Sequence, residues 1–225
     1  MPRILPLTFA GLLFAVACDA PKPEPPERTF RSVIAERLRE DARPDSFTPL
    51  ADAGRILGAS SARVWVVVVG DYQCGDCKAF NDAVLPVIKS DYVDRGLIRV
   101  ALLNKPADAH LNAVAAAVSA ACASAEGRFW ETSARIFATQ EQWSRLPDAR
   151  PFIDSLAIAA GVDAATQHTC SERARGMKLV QTDRARTTTA GVDSLPTFFI
   201  GSHKLVGRTT VATFRAVIDS ALAGR

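Results

Sequence analysis

The chain lacks an excess of either charge. Lysine and arginine number 27 against 24 aspartates and glutamates, a net of +3 over 225 residues. No basic run suits a phosphate backbone, so a nucleic-acid partner is not expected. A long apolar run is also missing. The stretch Ile4 to Ala17 is broken by Pro6, Thr8 and Gly11 and is too short to span a bilayer comfortably. Histidine and cysteine are scarce, three and five. The Cys-x-x-Cys spacing occurs once, at Cys74 and Cys77, whereas zinc ribbons usually repeat it.

What is present begins with an export signal. Arg3 followed by the apolar stretch to Ala17 matches the n- and h-regions of a secretory signal over residues 1–17. Ala15-Val16-Ala17-Cys18 resembles the bacterial lipoprotein cleavage site, which makes Cys18 a lipidated first residue and the membrane a partner through that anchor. An ordinary signal cleaved after Ala17 is the alternative. Asp19 resembles the residue that keeps such lipoproteins on the inner membrane. Residues 18–45 then read as a Pro-rich tether with a short helix over about 29–41. The remainder is long enough for one exported domain.

Within that domain, Val64 to Val69 is a continuous β-branched run, the pattern of a strand covered on both faces. A helix is expected from about Cys74, with Phe80, Val84, Val87 and Ile88 on one face and a kink at Pro86. Leu97 to Leu103 reads as a second strand, completing a βαβ unit. From about 107 to 190 only helices are expected. The first carries Leu111, Val114, Ala115, Val118 and Cys122 on one face. The next carries Trp130, Ala134 and Phe137. A third starts near Asp148 and Pro151 and closes at Gly161. Thr197 to Ile200, a turn at Gly201-Ser202, and Lys204 to Val206 read as a hairpin, followed by a helix burying Val211, Phe214, Ile218 and Leu222. Trp65 and Trp130 are assigned to the core.

The pair in "DYQCGDCKAF" has three readings: a structural staple, part of a zinc site with His168 and Cys170, or a redox centre. So short a loop constrains the unfolded chain weakly, which disfavours a staple. His168-Thr169-Cys170 does not repeat the spacer, which disfavours zinc. A helix N-terminus stabilises a thiolate, which suits Cys74 as nucleophile and the more interior Cys77 as the resolving residue.

Together, "GDYQCGDCKAF", "HLNAVAAAVSAACASAEGRFWETSARIFA" and "GVDSLPTFFIGSHKLVG" resemble the DsbA-like thiol–disulfide oxidoreductases of the thioredoxin superfamily, over roughly residues 54 to 222. The resemblance implies an α/β thioredoxin fold with a helical insertion: a first part at 46–106, the insertion at 107–190 and a second part at 191–225. It implies disulfide exchange with cysteine-containing exported proteins, a membrane or periplasmic redox partner, no cofactor and no metal. A non-catalytic, chaperone-like binding lipoprotein with a vestigial pair is the alternative. With no dimerisation region recognisable between Thr29 and Arg43, a monomer is expected.

The resemblance also makes Pro196 a cis-proline against the redox pair, with Leu195 presenting its backbone to substrate. An ordinary trans turn proline is the alternative. His110 matches a histidine often found near the site, but capping or solvent exposure is the preferred reading. The buried carboxylate that thioredoxin-like proteins often carry six residues before the nucleophile is replaced by Val68, and Asp71 is assigned only the end of the strand. Cys122 and Cys170 are the cysteines left over, and in an oxidising compartment they are expected to pair. Two buried free thiols are the alternative. Finally, Gly75 and Asp76 should tune the redox pair. A carboxylate roughly 6 Å from the Cys74 sulfur, at an effective dielectric of about 40, costs the thiolate about 1.4 kcal/mol, or about one pKa unit.

Overall fold

Five strands carry the core: β1 (Ile56–Leu57), β2 (Val64–Gly70), β3 (Ile98–Asn104), β4 (Thr197–Ile200) and β5 (His203–Val206). They belong to a computed structural model that describes residues 45–224. The export signal, Cys18, Asp19, most of the tether and the helix near 29–41 lie outside those residues. The strand order is β1-β3-β2-β4-β5. Central β2 runs parallel to β3, with Val66 opposite Val100 and Gly70 opposite Asn104. It runs antiparallel to β4, with Val68 opposite Phe198. Both long strands are covered on two faces, one fully and the other in part, which is why neither shows a clear apolar–polar alternation. β1 pairs with the outer side of β3 over two residues, too few to leave a period in the sequence.

The helix after β2 starts as α2 (Gly75–Ala79) and runs on through a π-helical segment, Phe80–Val84, then α3 (Leu85–Ile88), then a second π-helical segment, Lys89–Val93. The kink expected at Pro86 is absorbed by these wider turns. Proline lacks an N–H and clashes with the carbonyl four residues back, and the Leu85 N–H reaches five residues back to the Phe80 carbonyl instead. Phe80 packs on Phe198 and Phe214 with centroids 4.7 and 5.2 Å away, which holds this helix and α10 (Val211–Ala223) on one face of the sheet. Because Phe198 opposes Val68, that face is the one formed by Val66, Val68 and Gly70.

Helix α1 (Phe47–Gly54) precedes β1, and six helices fill the span between β3 and β4: α4 (Ala113–Ala125), α5 (Phe129–Ala138), α6 (Gln140–Trp143), α7 (Arg150–Ala159), α8 (Ala164–Glu172) and α9 (Met177–Thr189). Two expected faces need correction. Leu111 lies before α4 and is 69% exposed, while α4 is buried almost all round. Its alanines and serines let α1, α5, α7 and α8 approach closely, so no single apolar stripe is needed. In α5 the inward residues are Phe129, Thr132, Ser133, Ile136 and Phe137; Ala134 is exposed and Trp130 half-buried. Trp65 is also only half-buried, with the Arg99 guanidinium 4.3 Å from its ring. α9 packs on β3 and α1, so the last inserted helix is also a layer of the sheet. A buried Arg55–Asp183 pair ties it there, and Asp183 Oδ2 accepts the Asn104 N–H at 2.9 Å.

Cys122 and Cys170 are disulfide-bonded, their Cα atoms 5.9 Å apart across a sequence separation of 48 residues, joining α4 to α8. Closing such a loop stabilises by about 4 kcal/mol in the chain-entropy model. Replacing both cysteines with alanine is therefore expected to lower the unfolding free energy by about that amount in urea titrations, while leaving the reactivity of Cys74 unchanged.

Candidate active site

Cys74 is the N-cap of α2: its extended backbone (φ −74°, ψ 120°) turns the side chain over the helix end, and its sulfur accepts the Cys77 N–H at 3.2 Å. Sulfur thus takes the place of the usual capping oxygen. The Cys77 thiol and the backbone N–H groups of Cys77 and Asp76 all donate to it. They bring the Cys74 pKa down to about 7 against burial and the charge of Asp71. Cys77 is buried, and its hydrogen bond to the Cys74 sulfur, its burial and the neighbouring negative charge push its own pKa far up. One half-buried, acidic thiol beside one buried, inert thiol can carry out sequential attack.

The turn that presents Cys74 is built on Asp71, which is 2% exposed. Its Oδ1 accepts the Gln73 N–H at 2.7 Å, and its carbonyl accepts the Cys74 N–H at 3.1 Å. Its Oδ2 accepts the Ala107 N–H at 2.8 Å and lies 2.7 Å from His110 Nδ1. The preferred reading of His110 is corrected here, and that of Asp71 is extended. Asp71 does follow β2, but it is also the carboxylate whose charge acts on both cysteines. His110 is bonded to it instead of capping a helix or facing solvent. The Asp-x-x-Cys spacing, an Asx turn at a strand end, was the available signal. Nothing in the sequence marked Gln73 and Gln140. Gln140 Nε2 donates to the Tyr72 and Cys74 carbonyls at 2.6 and 3.2 Å, and Gln73 Oε1 accepts the Asn112 N–H at 2.5 Å. These bonds fasten the turn to the helical insertion.

Beside Cys74 lies a groove of about 650 Å³, lined by Gly75, Asp76, Lys105, His110 and Leu195 among others. The Leu195–Pro196 peptide bond is cis, Pro196 is buried, and Leu195 is half-buried on the groove wall. Asp76 does not stand alone as the like-charge argument assumed. Arg208 binds its Oδ1 through Nε at 2.9 Å and Nη2 at 2.7 Å. Gly75 has open space where a Cβ would go. His168 lies 4.0 Å from Asp154, and Cys170 is held in the disulfide, so the four residues weighed for zinc are not brought together. Among the described residues no cluster of three or more metal-ligating side chains occurs.

A family model described as Thioredoxin matches residues 51–220. The chain belongs to this thioredoxin family. Its fold is also that of solved DsbA-like members. BdbD from Bacillus subtilis superposes with a TM-score of 0.69 at 22% identity, covering 76% of this chain and 95% of that one. Wolbachia pipientis alpha-DsbA1 gives 0.66 at 20% identity, covering 76% and 91%. Disulfide bond formation protein D of Bacillus subtilis is 41% identical over 49 residues, 22% of each chain. A Na(+)/H(+) antiporter NhaA 1 of Salinispora arenicola is 27% identical over 202 residues, 89% of this chain and 29% of that protein. The chain thus spans less than a third of each of these two curated relatives. In this family member, Asp71→Asn is expected to lower the Cys74 pKa and raise its thiolate fraction at pH 6 by roughly threefold. Arg208→Ala should raise the pKa by less, because its pair with Asp76 is exposed and screened. Alkylation rate against pH checks both signs.

Proposed function

We propose that this protein is a thiol–disulfide oxidoreductase acting on cysteines of exported proteins through Cys74 and Cys77. The observation that carries this reading is the acidic, half-buried Cys74 sulfur at the N-cap of α2, opening onto a groove. The name of the Bacillus subtilis relative, disulfide bond formation protein D, supports the same chemistry.

In the reductive direction the Cys74 thiolate attacks a substrate disulfide, forming a mixed disulfide and releasing one substrate thiolate. Cys77 then loses its proton and attacks the Cys74 sulfur. The Cys74–Cys77 bond forms, the mixed disulfide breaks, and the second substrate sulfur leaves and takes up a proton. Oxidation of substrate is the reverse sequence. No cofactor enters the scheme. Leu195 and Pro196 form the wall against which an extended substrate chain would pair, its backbone adding a strand. The export signal, with Cys18 lipidated at the inner membrane, would place a monomeric domain beside exported substrates and a membrane or periplasmic redox partner.

The direction follows from thiolate stability. A pKa of about 7 for Cys74 resembles thioredoxin's value of about 7, not DsbA's of about 3.5. A less stabilised thiolate makes a less oxidising disulfide, so the reduction potential should lie nearer thioredoxin's −270 mV or so than DsbA's −120 mV or so. Asp76, paired with Arg208, contributes to that tuning less than an unpaired carboxylate would. The attack rate should rise about tenfold per pH unit up to about pH 7 and level off above it, because only the thiolate reacts.

Insulin reduction driven by a small dithiol is expected to proceed with the wild-type protein and to stop in Cys74→Ala. Cys77→Ala should accumulate the mixed disulfide. No turnover, with thiols unreactive at neutral pH, would overturn the reading and favour the chaperone-like binding protein. Equilibration against glutathione near the DsbA value would overturn the assigned direction.

A further inference from the structure

The chemistry of Cys77 poses a problem that the Cys74 site does not solve. To resolve a mixed disulfide, a buried thiol must become a thiolate, and the charges of Cys74 while ionised and of Asp71 both oppose this. Val68, on the sheet face that the helix carrying Cys77 covers, has no group to accept its proton. A donor to the Cys77 sulfur is needed once Cys74 is tied up with substrate.

The sheet brings a candidate to the same face, one residue across from the strand end that meets this sulfur. A Cβ built on Gly70 would lie 3.6 Å from the Cys77 sulfur, so this strand end faces that atom directly. Gly70 is the register partner of Asn104 in the parallel β2–β3 pair, so the two residues direct side chains to the same face, about 4.8 Å apart. That is the face covered by the helix carrying Cys77, as the Phe80–Phe198 contact shows. Asn104 is 1% exposed, and both Nδ2 and Oδ1 are buried without a hydrogen-bond partner among the described residues. Its backbone is held by Asp183 and by the strand pairing, so its position does not depend on the side-chain amide. Native cores rarely leave both ends of an amide unsatisfied, because each unmade bond costs about 1–3 kcal/mol.

We infer that Asn104 is a further group of the redox site, whose side-chain Nδ2–H donates to the Cys77 sulfur as that sulfur becomes a thiolate. This deepens the oxidoreductase reading and rests on it for its role in turnover. In the resting reduced state the Cys77 proton is directed at Cys74, and the amide is idle. In the mixed disulfide Cys74 carries no charge. Cys77 then yields its proton to the solvent or to the departing substrate sulfur, and its developing charge is met by Asn104 Nδ2 and by the Asp71 backbone N–H. The Cys77–Cys74 bond forms as the Cys74–substrate bond breaks. The unsatisfied amide is thus a stability cost retained at a site where it serves one step.

The test separates this role from a structural one. Asn104→Leu keeps the shape and removes both unsatisfied atoms, so it is expected to fold with unchanged or higher stability. Asn104→Ala is the second variant if the leucine does not fit. In a Cys74→Ala background, where Cys77 is the redox-pair thiol that remains, either change should raise the pH midpoint of Cys77 alkylation. In the intact pair it should slow release of a preformed Cys74 mixed disulfide about tenfold, while the pH profile of Cys74 alkylation stays where it was. An unchanged Cys77 midpoint and an unchanged release rate would overturn the inference. The Cys77 titration needs no substrate, so it decides the Asn104 contact even if the protein proves to have no turnover.

Discussion

The Cys74 sulfur at the N-cap of α2 is the interaction on which the site depends. A helix leaves its first N–H groups without partners, and a sulfur placed over them receives their hydrogen bonds and the positive end of the helix dipole. The same placement leaves Cys77 one turn along, buried beneath it and dependent on Cys74 for its hydrogen bond. One geometric fact therefore produces opposite behaviour in two chemically identical thiols. The rest of the domain keeps that helix end in place: the Phe80–Phe198–Phe214 cluster holds the helix on the sheet, and Gln73 and Gln140 pin the preceding turn to the inserted helices.

Asp71 works both for and against this arrangement. Its carboxylate shapes the turn through Gln73, draws in the loop after β3 through Ala107, and binds His110. Its charge also raises the energy of the thiolate it presents. Geometry is thereby gained at some expense in acidity, and a Cys74 pKa of about 7 is the resulting compromise. Asp76, closer in sequence, is paired with Arg208 from the loop after β5.

Much of this was legible from the sequence, and the reasons are specific. The Val64–Val69 run could only be a doubly covered strand, and a Cys-x-x-Cys immediately after it had to meet a helix start. The hairpin at Thr197 was marked by its turn residues. The faces of α4 and α5 were misread because periodicity assumes one buried side, whereas small alanine and serine side chains allow α4 to be enclosed. β1 was too short to signal itself. The contacts of Asp71 with Ala107 and His110, and of Arg208 with Asp76, could not be read because each partner lies 36 to 132 residues away, which no local pattern encodes. Asn104 was invisible for the same reason: its significance comes from strand register, which sets it opposite Gly70.

The central claim is that one thiol of the pair is activated by the helix end while the other is suppressed. The most direct measurement is the pH dependence of alkylation of the two cysteines in the wild-type reduced protein, resolved by peptide mass. The account predicts modification of Cys74 with a midpoint near pH 7, as its lowered pKa requires, and negligible modification of Cys77 at the same pH. Equal reactivity of the two thiols, or a Cys74 midpoint at the ordinary thiol value of about 8.5, would contradict it.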